Sequence, residues 1–556
     1  MKTIRVSLFM LTALTMFSLL SVSCGSKKDS LSGANGILKK IPENAAAVAV
    51  INVGQMMKKL NYADFKKTEM FQDMLKEAKT DEMKKILENP ESSGIDMSSQ
   101  FCMYVDAKDK DDFSVVFLMP VKNIKDLESV FEKSAKAGKE SPFKDIQSAK
   151  SFKYVTGKDA SLSFGLGWDK NLMVFVYNTK SDVEKSLSAV FENNGDKNIS
   201  SNKNFKVDRI AKHDMALWVQ SDPFVSIVKA DKKMSRTLKQ ITFLGLTEEA
   251  LNGNTMAMYY DFNNGEMQAG ISYKMNEQIE KEYGMIFKKK MNTDFSTYFP
   301  KKNLSGISMF GLDMNGLKKV MENRSVDGFA NAYLGNMGIK LDEVIKGFDG
   351  EFAFASYANP NAKNPADNQK VVVAIALNNP EIINKLMKAS RELGAGEIKK
   401  SGNRYMSAMT KEVQGIVKNN VFIISNDLSV IDKIENGGFK GDEAIESKHY
   451  AEMKKGWASG HVDYTQLISS LQNLPLDATD APRMSEIIAI LREYNELISS
   501  TAVANTEETK VIFTMKNKDK NSLKVFSELM NKAYMNREKI QKEFEKGIES
   551  ENEENI

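Results

Sequence analysis

The sequence predicts an α+β protein of two similar halves, each a mainly antiparallel sheet built of β-hairpin–helix units with helices on one face. Three observations carry that expectation. Strand-like and helix-like segments recur in one order with a period of about 255 residues, as a duplicated architecture requires. Neighbouring strand-like runs are joined closely enough to pair as hairpins, which leaves no need for crossovers. About 530 residues follow an N-terminal signal-like segment, more than one hydrophobic core normally serves.

In chain order, Lys2 and Arg5, the apolar run Val6 to Leu20, and Ser21-Val22-Ser23-Cys24-Gly25 follow the order of a bacterial signal peptide. The run is short for a spanning helix. Its last five residues resemble a lipobox, with Ser21 where such signals usually carry Leu. The expectation is a signal peptide over 1–23 and lipidation at Cys24, with an uncleaved anchor helix as the alternative; either one tethers the chain to a membrane. Residues 24–37 are rich in Ser, Gly, Lys and Asn and read as a flexible tether, with a reach of roughly 20 Å. By resemblance to Gram-negative lipoproteins, Gly25 after the cysteine favours the outer membrane, with the body facing the periplasm or the cell surface.

The body divides into a first α+β repeat over 38–296 and a second over 297–540, followed by an acidic tail over 541–556 that reads as disordered. Ile41-Pro42-Glu43-Asn44 and the strand ending at Asn52 recur as Phe299-Pro300-Lys301-Lys302 and the strand before Asp313. Gly94-Ile95-Asp96 and Phe101 to Val105 recur as Gly347-Phe348-Asp349 and Phe352 to Tyr357. Val115 to Met119 matches Val371 to Leu377, and Leu172 to Tyr177 matches Val421 to Ser425. Met256 to Phe262 and Met267 to Tyr273 match Thr501 to Ala504 and Lys510 to Met515. Two unrelated α+β domains sharing a common supersecondary pattern are the alternative. Asn52, Asp222, Asp313, Asn379 and Asp463 stand where they can cap helices, and Asn264-Gly265 suits a tight hairpin. Met484 to Ile498 places Ile487, Ile488, Leu491, Tyr494 and Ile498 on one helical stripe, a core face or an exposed ligand groove.

Lys and Arg total 77 and Asp and Glu 74, a formal charge of +3, with only nine Arg. Such a near-neutral, Lys-dominated surface argues against nucleic acid as a partner. Cys102 lies in the apolar run Phe101-Cys102-Met103-Tyr104-Val105 and reads as a buried structural thiol. The three histidines, His213, His449 and His461, are not spaced as metal ligands. Gly306 to Gly311 misses the second glycine of a nucleophile elbow, and Ser200 with Lys203 lacks the partner motifs of a Ser-x-x-Lys enzyme. Gly165-Leu166-Gly167 reads as a turn. Asp106, Asp109, Asp111 and Asp112 lack the glycine and bidentate Glu of a calcium loop. These residues, and the polar loop from Asn359 to Asn368, read as hairpin loops. No catalytic residue, metal site or cofactor is predicted.

The candidate ligand-binding residue is Trp168, in Gly167-Trp168-Asp169-Lys170. At a hairpin tip it would be exposed and free to stack on a sugar or another apolar ligand; the alternative is a ring folded back onto its own sheet. Trp218 and Trp457 read as core. Thirty-two methionines suit irregular packing or an adaptable apolar surface.

The lipobox-like segment, the Ile41-Pro42 opening, Val48-Ala49-Val50-Ile51-Asn52 and the two-fold repeat resemble a family of large, uncharacterised lipoproteins of Bacteroidota, over nearly the whole mature chain. The resemblance implies an outer-membrane-anchored protein of unknown role and contributes no reaction, cofactor or active-site residue. The expected function is that of a non-enzymatic, lipid-anchored cell-envelope binding or scaffold protein, with an envelope protein, glycan or lipid as partner. The alternatives are a carrier or acceptor of lipid or another apolar ligand, and a hydrolase whose residues converge only in space.

Overall fold

A computed structural model of the chain describes residues 34–537 except 79, 108–111, 137–145, 160–161, 181, 194–196, 231–250, 289, 360–368, 393–397, 408–412, 446, 473–488 and 490–494. Cys24, the proposed signal segment and the acidic tail therefore lie outside the described residues, as does most of the Met484 stripe. The described chain is a mixture of helices and antiparallel sheet. It forms two compact units: one runs up to Asn276 and includes Asp519–Met535, and the other comprises Glu277–Lys518 with the residues from Asn536 on.

The first unit contains β1 (Ala47–Asn52), β2 (Gln100–Ala107), β3 (Phe113–Pro120), β4 (Gln147–Ser148), β5 (Lys153–Asp159), β6 (Leu162–Trp168), β7 (Leu172–Asn178), β8 (Met215–Gln220), β9 (Thr255–Asn263) and β10 (Glu266–Lys274). Pairing orders them β4-β5-β6-β7-β3-β2-β1-β8-β9-β10, with every neighbour antiparallel. The second unit contains β11 (Leu304–Gly311), β12 (Phe348–Ala358), β13 (Gln369–Leu377), β14 (Ile398–Ser401), β15 (Arg404–Ser407), β16 (Gln414–Lys418), β17 (Val421–Ser425), β18 (Ala458–Asp463), β19 (Leu497–Ala504) and β20 (Glu508–Met515). Its order is β14-β15-β16-β17-β13-β12-β11-β18-β19-β20, again antiparallel throughout.

Helices pack on both faces of the central strands of each unit, where the expectation was helices on one face. Along β2, β3 and β7 both parities are apolar. Cys102, Tyr104, Val116, Leu118, Val174 and Val176 share one core with Leu38 and the Val183–Glu192 helix. Phe101, Met119 and Met173 share another with the helices Val53–Leu60, Glu69–Glu77 and Ile124–Lys136. A strand apolar on both faces leaves one of them wet unless a second helical layer is supplied. The second unit behaves alike: Ile307, Ala353 and Val372 pack with the Leu428–Glu435 helix. Leu377 and Phe422 pack on the opposite side with the Glu381–Glu392 helix.

Three boundaries move. Residues Ala34–Leu38 are helical, and Ile37 and Leu38 are fully buried, so folded structure begins inside the segment read as tether. The first compact unit runs to Asn276, and the Glu277–Ile286 helix packs beside the Met314–Asn323 helix of the second unit. Reciprocally, the Ser522–Met535 helix belongs to the first unit: there Lys524 pairs with Asp64 at 2.7 Å and Asn531 Oδ1 accepts from the Met70 N–H. Ile498 stands in β19, so the predicted helical stripe ends before it.

Asp313, Asn379 and Asp463 accept backbone N–H groups in the first turns of their helices. Asn52 makes no side-chain cap bond, and Asp222 accepts from the Gly253 N–H. The β9–β10 hairpin turns through Asn264 and Gly265, where Gly265 has φ +71°, a conformation glycine adopts without steric cost.

Gly316 sets the approach of the Glu277–Ile286 helix, because a Cβ there would overlap the carbonyl oxygen of Met285. Gly316→Ala is expected to destabilise the chain by about 1–3 kcal/mol through overpacking, while Gly328→Ala, facing open space, is expected to be neutral or stabilising by up to about 1 kcal/mol. Urea denaturation compares the two; equal midpoints would remove the packing role of Gly316.

Candidate functional site

Trp168 is 1% exposed, and this corrects its expected place at an open hairpin tip. Its ring stacks on Phe131 at 4.6 Å, and its Nε1 donates to Glu128 at 3.4 Å. The Ile124–Lys136 helix, which carries both partners, covers the face on which Trp168 stands. Glu128 is held below the usual carboxylate range by the hydrogen bond from Lys153. Trp218 is buried, edge-on to Phe205 at 5.3 Å. Trp457 is half-buried, stacked on Phe287 at 4.0 Å.

Other singled-out residues are placed as follows. Cys102 is buried, and desolvation pushes its thiol up. Ser308 lies within β11 opposite Phe354 and Gly460. Ser200 follows the cap of Asn198, whose Oδ1 accepts its N–H. His461 Nδ1 lies 2.8 Å from Thr501 Oγ1. Asp109 and Asp111 fall outside the described residues.

The structure brings together a polar cluster that local sequence did not signal. Asp214, 1% exposed, lies between the Val207–Ile210 helix and β8. One of its oxygens accepts from Lys59 Nζ at 2.5 Å and from the Phe262 N–H at 2.7 Å, and its carbonyl accepts from the Asn52 N–H at 2.8 Å. Asp261 accepts from the Asp214 N–H, and its other oxygen lies 2.7 Å from His213 Nδ1. The His213 ring stacks on Tyr259 at 3.9 Å. Burial opposes ionisation of Asp261, but His213, the Asp214 N–H and Lys59 outweigh it and hold the carboxyl below its ordinary range.

The second unit has a comparable pin. Glu351, fully buried, accepts from the Asn292 and Thr293 N–H groups and pairs with Lys288 at 3.1 Å, while Lys288 also meets Asp349 at 2.5 Å. Against burial, the Thr293 and Asn292 donors and Lys288 hold Glu351 below its usual range; against burial, Asp349 and Glu351 raise Lys288. The first cluster ties the ends of β8 and β9 to the Val53–Leu60 helix and leaves Asp214 Oδ1 buried without a hydrogen-bond partner among the described residues. The second ties β12 to the segment that follows the Glu277–Ile286 helix. Both arrangements suit a structural role.

The surface with binding chemistry is a sheet face in the first unit. Register places Met215, Leu217 and Val219 of β8 beside Tyr260, Met258 and Met256 of β9. Those three in turn lie beside Ala269, Ile271 and Tyr273 of β10. Their side chains share one face by the two-residue period of a strand. They are only half-buried, and Tyr260 and Tyr273 are 42% and 38% exposed. Methionines adapt their shape to what they touch, and tyrosines present an apolar ring with a polar tip. Such a face can take an apolar or aromatic-compatible partner. The alternation Met256-x-Met258-x-Tyr260 was legible in the sequence; that it stays half-open was not. A separate open cleft of about 380 Å³ is lined by Pro42, Glu43, Lys197, Asn202, Asp222 and Pro223.

In the second unit, Phe310 of β11 and Phe354 of β12 are 45% and 44% exposed. Strand parity puts them on one face of that sheet, as diagonal neighbours.

The family comparison matches residues 39–523 to a domain of unknown function, DUF4836. The chain belongs to that family. No curated protein matches the sequence. Two solved structures, crystal forms III and I of TP0453, share 10% and 11% identity with it. They cover 46% and 43% of this chain and 88% and 79% of their own, each at a TM-score of 0.23.

Two predictions test the pins. Lys59→Ala leaves the Asp214 charge buried without its cation and is expected to cost about 3 kcal/mol, with part of the loss recovered by adding Asp214→Asn. Urea midpoints decide, and a Lys59→Ala midpoint equal to wild type would refute the pin. Asp261 and Glu351, lowered in the folded state, contribute stability that is full above the unfolded carboxylate values near about 4 and is lost as pH falls through the lower folded values. Lys288, raised, contributes stability that is lost only as pH climbs above about 10.5. Thermal melts across acid pH should show a flatter acid limb in Glu351→Gln than in wild type; parallel limbs would refute the linkage.

Proposed function

We propose that the chain is a non-enzymatic, lipid-anchored protein of the cell envelope that acts by binding, through the half-open apolar face of β8, β9 and β10. The first 23 residues act as a signal peptide and Cys24 carries the lipid. A flexible segment then holds the folded body at the outer membrane, facing the periplasm or the cell surface. Support for the anchor comes from the order of charge, apolar run, small residues and cysteine at the N-terminus. Among the described residues no helix is long and apolar enough to cross a membrane.

The two units are proposed to descend from one duplicated unit, a reading supported by a ten-strand order that is the same, position for position, in each. The observation that carries a binding role is the row Met215, Leu217, Met256, Met258, Tyr260 and Ile271, apolar yet only half-buried. Contiguous apolar surface of this kind marks interaction sites more often than chance exposure does. A second reading, a carrier or acceptor of lipid, draws on the methionines in the same row, which can repack around different acyl shapes.

Intact-mass spectrometry of protein from the membrane fraction should show an N-terminus at Cys24 bearing acyl mass, and Cys24→Ala should move the chain out of that fraction. An unprocessed full-length mass would sink the anchor. For the binding face, benzoylphenylalanine introduced at Tyr260 should give a photo-adduct in intact cells, reduced several-fold by Tyr273→Ser. Mass spectrometry of the adduct separates a lipid from a protein or glycan, and no adduct at either tyrosine would refute the face as a binding surface.

A further inference from the structure

The Asp327–Gly335 helix of the second unit has no buried residue. Phe329 and Tyr333, one turn apart, are 82% and 62% exposed, and Val326 just before them is 38% exposed. Gly328 to Ile339 contains no charged residue, in a chain in which 27% of residues are charged, so about three would be expected there. The helix is firmly mounted: Ile339 and Leu341 are buried, and the Leu341 N–H donates to Asn331 at 3.2 Å. The aromatic pair therefore stands on a braced element and not on a loose loop.

The first unit treats the corresponding stretch differently. After its first strand and helix come the Tyr62–Phe65 and Glu69–Glu77 helices, which bury Tyr62, Phe65, Met70 and Phe71. The Ser522–Met535 helix lies against the latter, with Asn531 accepting from the Met70 N–H and the Tyr534 hydroxyl donating to Asp73. In the second unit the Glu277–Ile286 helix engages the end of Met314–Asn323 through Glu282 and Arg324, and Phe329 and Tyr333 remain bare.

We infer that Phe329 and Tyr333 dock the second unit onto a phospholipid surface, inserting at the level of the headgroups. This rests on the lipid-anchored reading above. The area decides against a protein partner. A Phe or Tyr buries on the order of 150–250 Å² when covered completely, so the pair offers less than about 500 Å², below the roughly 800 Å² per partner that a stable protein interface uses. A bilayer makes no such demand on a chain already anchored to it, because the second contact forms at high effective concentration. Aromatic rings with one polar tip favour the membrane–water boundary, and an uncharged run avoids the cost of desolvating ions there.

The test uses the full chain purified from membranes and reconstituted in phosphatidylethanolamine–phosphatidylglycerol vesicles containing brominated phosphatidylcholine. Phe329→Trp and Tyr333→Trp are compared with wild type, whose tryptophans Trp168 and Trp218 are buried and Trp457 half-buried. The expected result is vesicle flotation, together with bromine quenching and a blue-shifted emission in both variants beyond the wild-type background. Flotation without added quenching overturns the docking. A dimer by sedimentation whose new tryptophans are shielded from both aqueous iodide and the brominated lipid also overturns it, in favour of self-association. The intact mass of the same preparation reports the lipid at Cys24 independently, so loss of the anchor and loss of the docking are read separately. Unchanged melting temperatures in both variants certify the fold.

Discussion

The constraint on which the rest depends is that the central strands of each sheet are apolar on both faces. Phe101 and Met119 point to one core while Cys102 and Leu118 point to the other, and Val372 and Ile375 divide in the same way. A sheet of this kind exposes one apolar face unless helices are supplied on both sides. Hairpin wiring alone brings none; among the described residues helices follow β1, β3, β7 and β8 in the first unit and β11, β13, β17 and β18 in the second. The Val53–Leu60 and Ile124–Lys136 helices serve one face and the Val183–Glu192 helix serves the other. The demand extends to the closing helices, since Ser522–Met535 completes the first unit although it follows the last strand of the second.

Helices on both faces create a second requirement at the strand ends, where backbone groups leave the ladder and need partners in a dry setting. Asp214 answers it in the first unit and Glu351 in the second. Each is a buried carboxylate paired with a lysine, accepting one backbone N–H at Asp214 and two at Glu351. A charge so placed is costly if any partner is lost, which makes these pins specific to one arrangement of strands and helices. His213 belongs to this network through Asp261 and stacks on Tyr259.

Strand positions were the most legible part of the chain, because short apolar runs between polar turns report burial directly. The pairing of Met256–Phe262 with Met267–Tyr273 follows from that pattern and from the Asn264-Gly265 turn between them. The number of helical layers is also written in the sequence, in the unbroken apolar run Phe101 to Val105, which asks for cover on both faces. Trp168 stands at the end of β6 beside a tight turn, where local sequence favours exposure, and only the distant Ile124–Lys136 helix buries its ring. What sequence could not signal was contact across long separations. Lys59 and Asp214 are 155 residues apart, and nothing local to either announces the other. The return of the last helix to the first unit is likewise a tertiary choice, since its apolar stripe fits any complementary groove.

Two units with one strand order but unequal cover separate what the fold requires from what this sequence adds. Where the Ser522–Met535 helix lies over the Glu69–Glu77 helix, the position beside the first strand's helix is closed and its aromatic residue, Phe71, is fully buried. The same strand order in the second unit leaves Phe329 and Tyr333 outward on an uncharged helix. The architecture therefore tolerates a closed position there, and exposure is not forced by topology. Replacing two exposed aromatics by polar residues would cost the folded state little, so stability does not account for keeping them. An apolar feature that neither topology nor stability demands is most simply explained by something outside the chain that it meets.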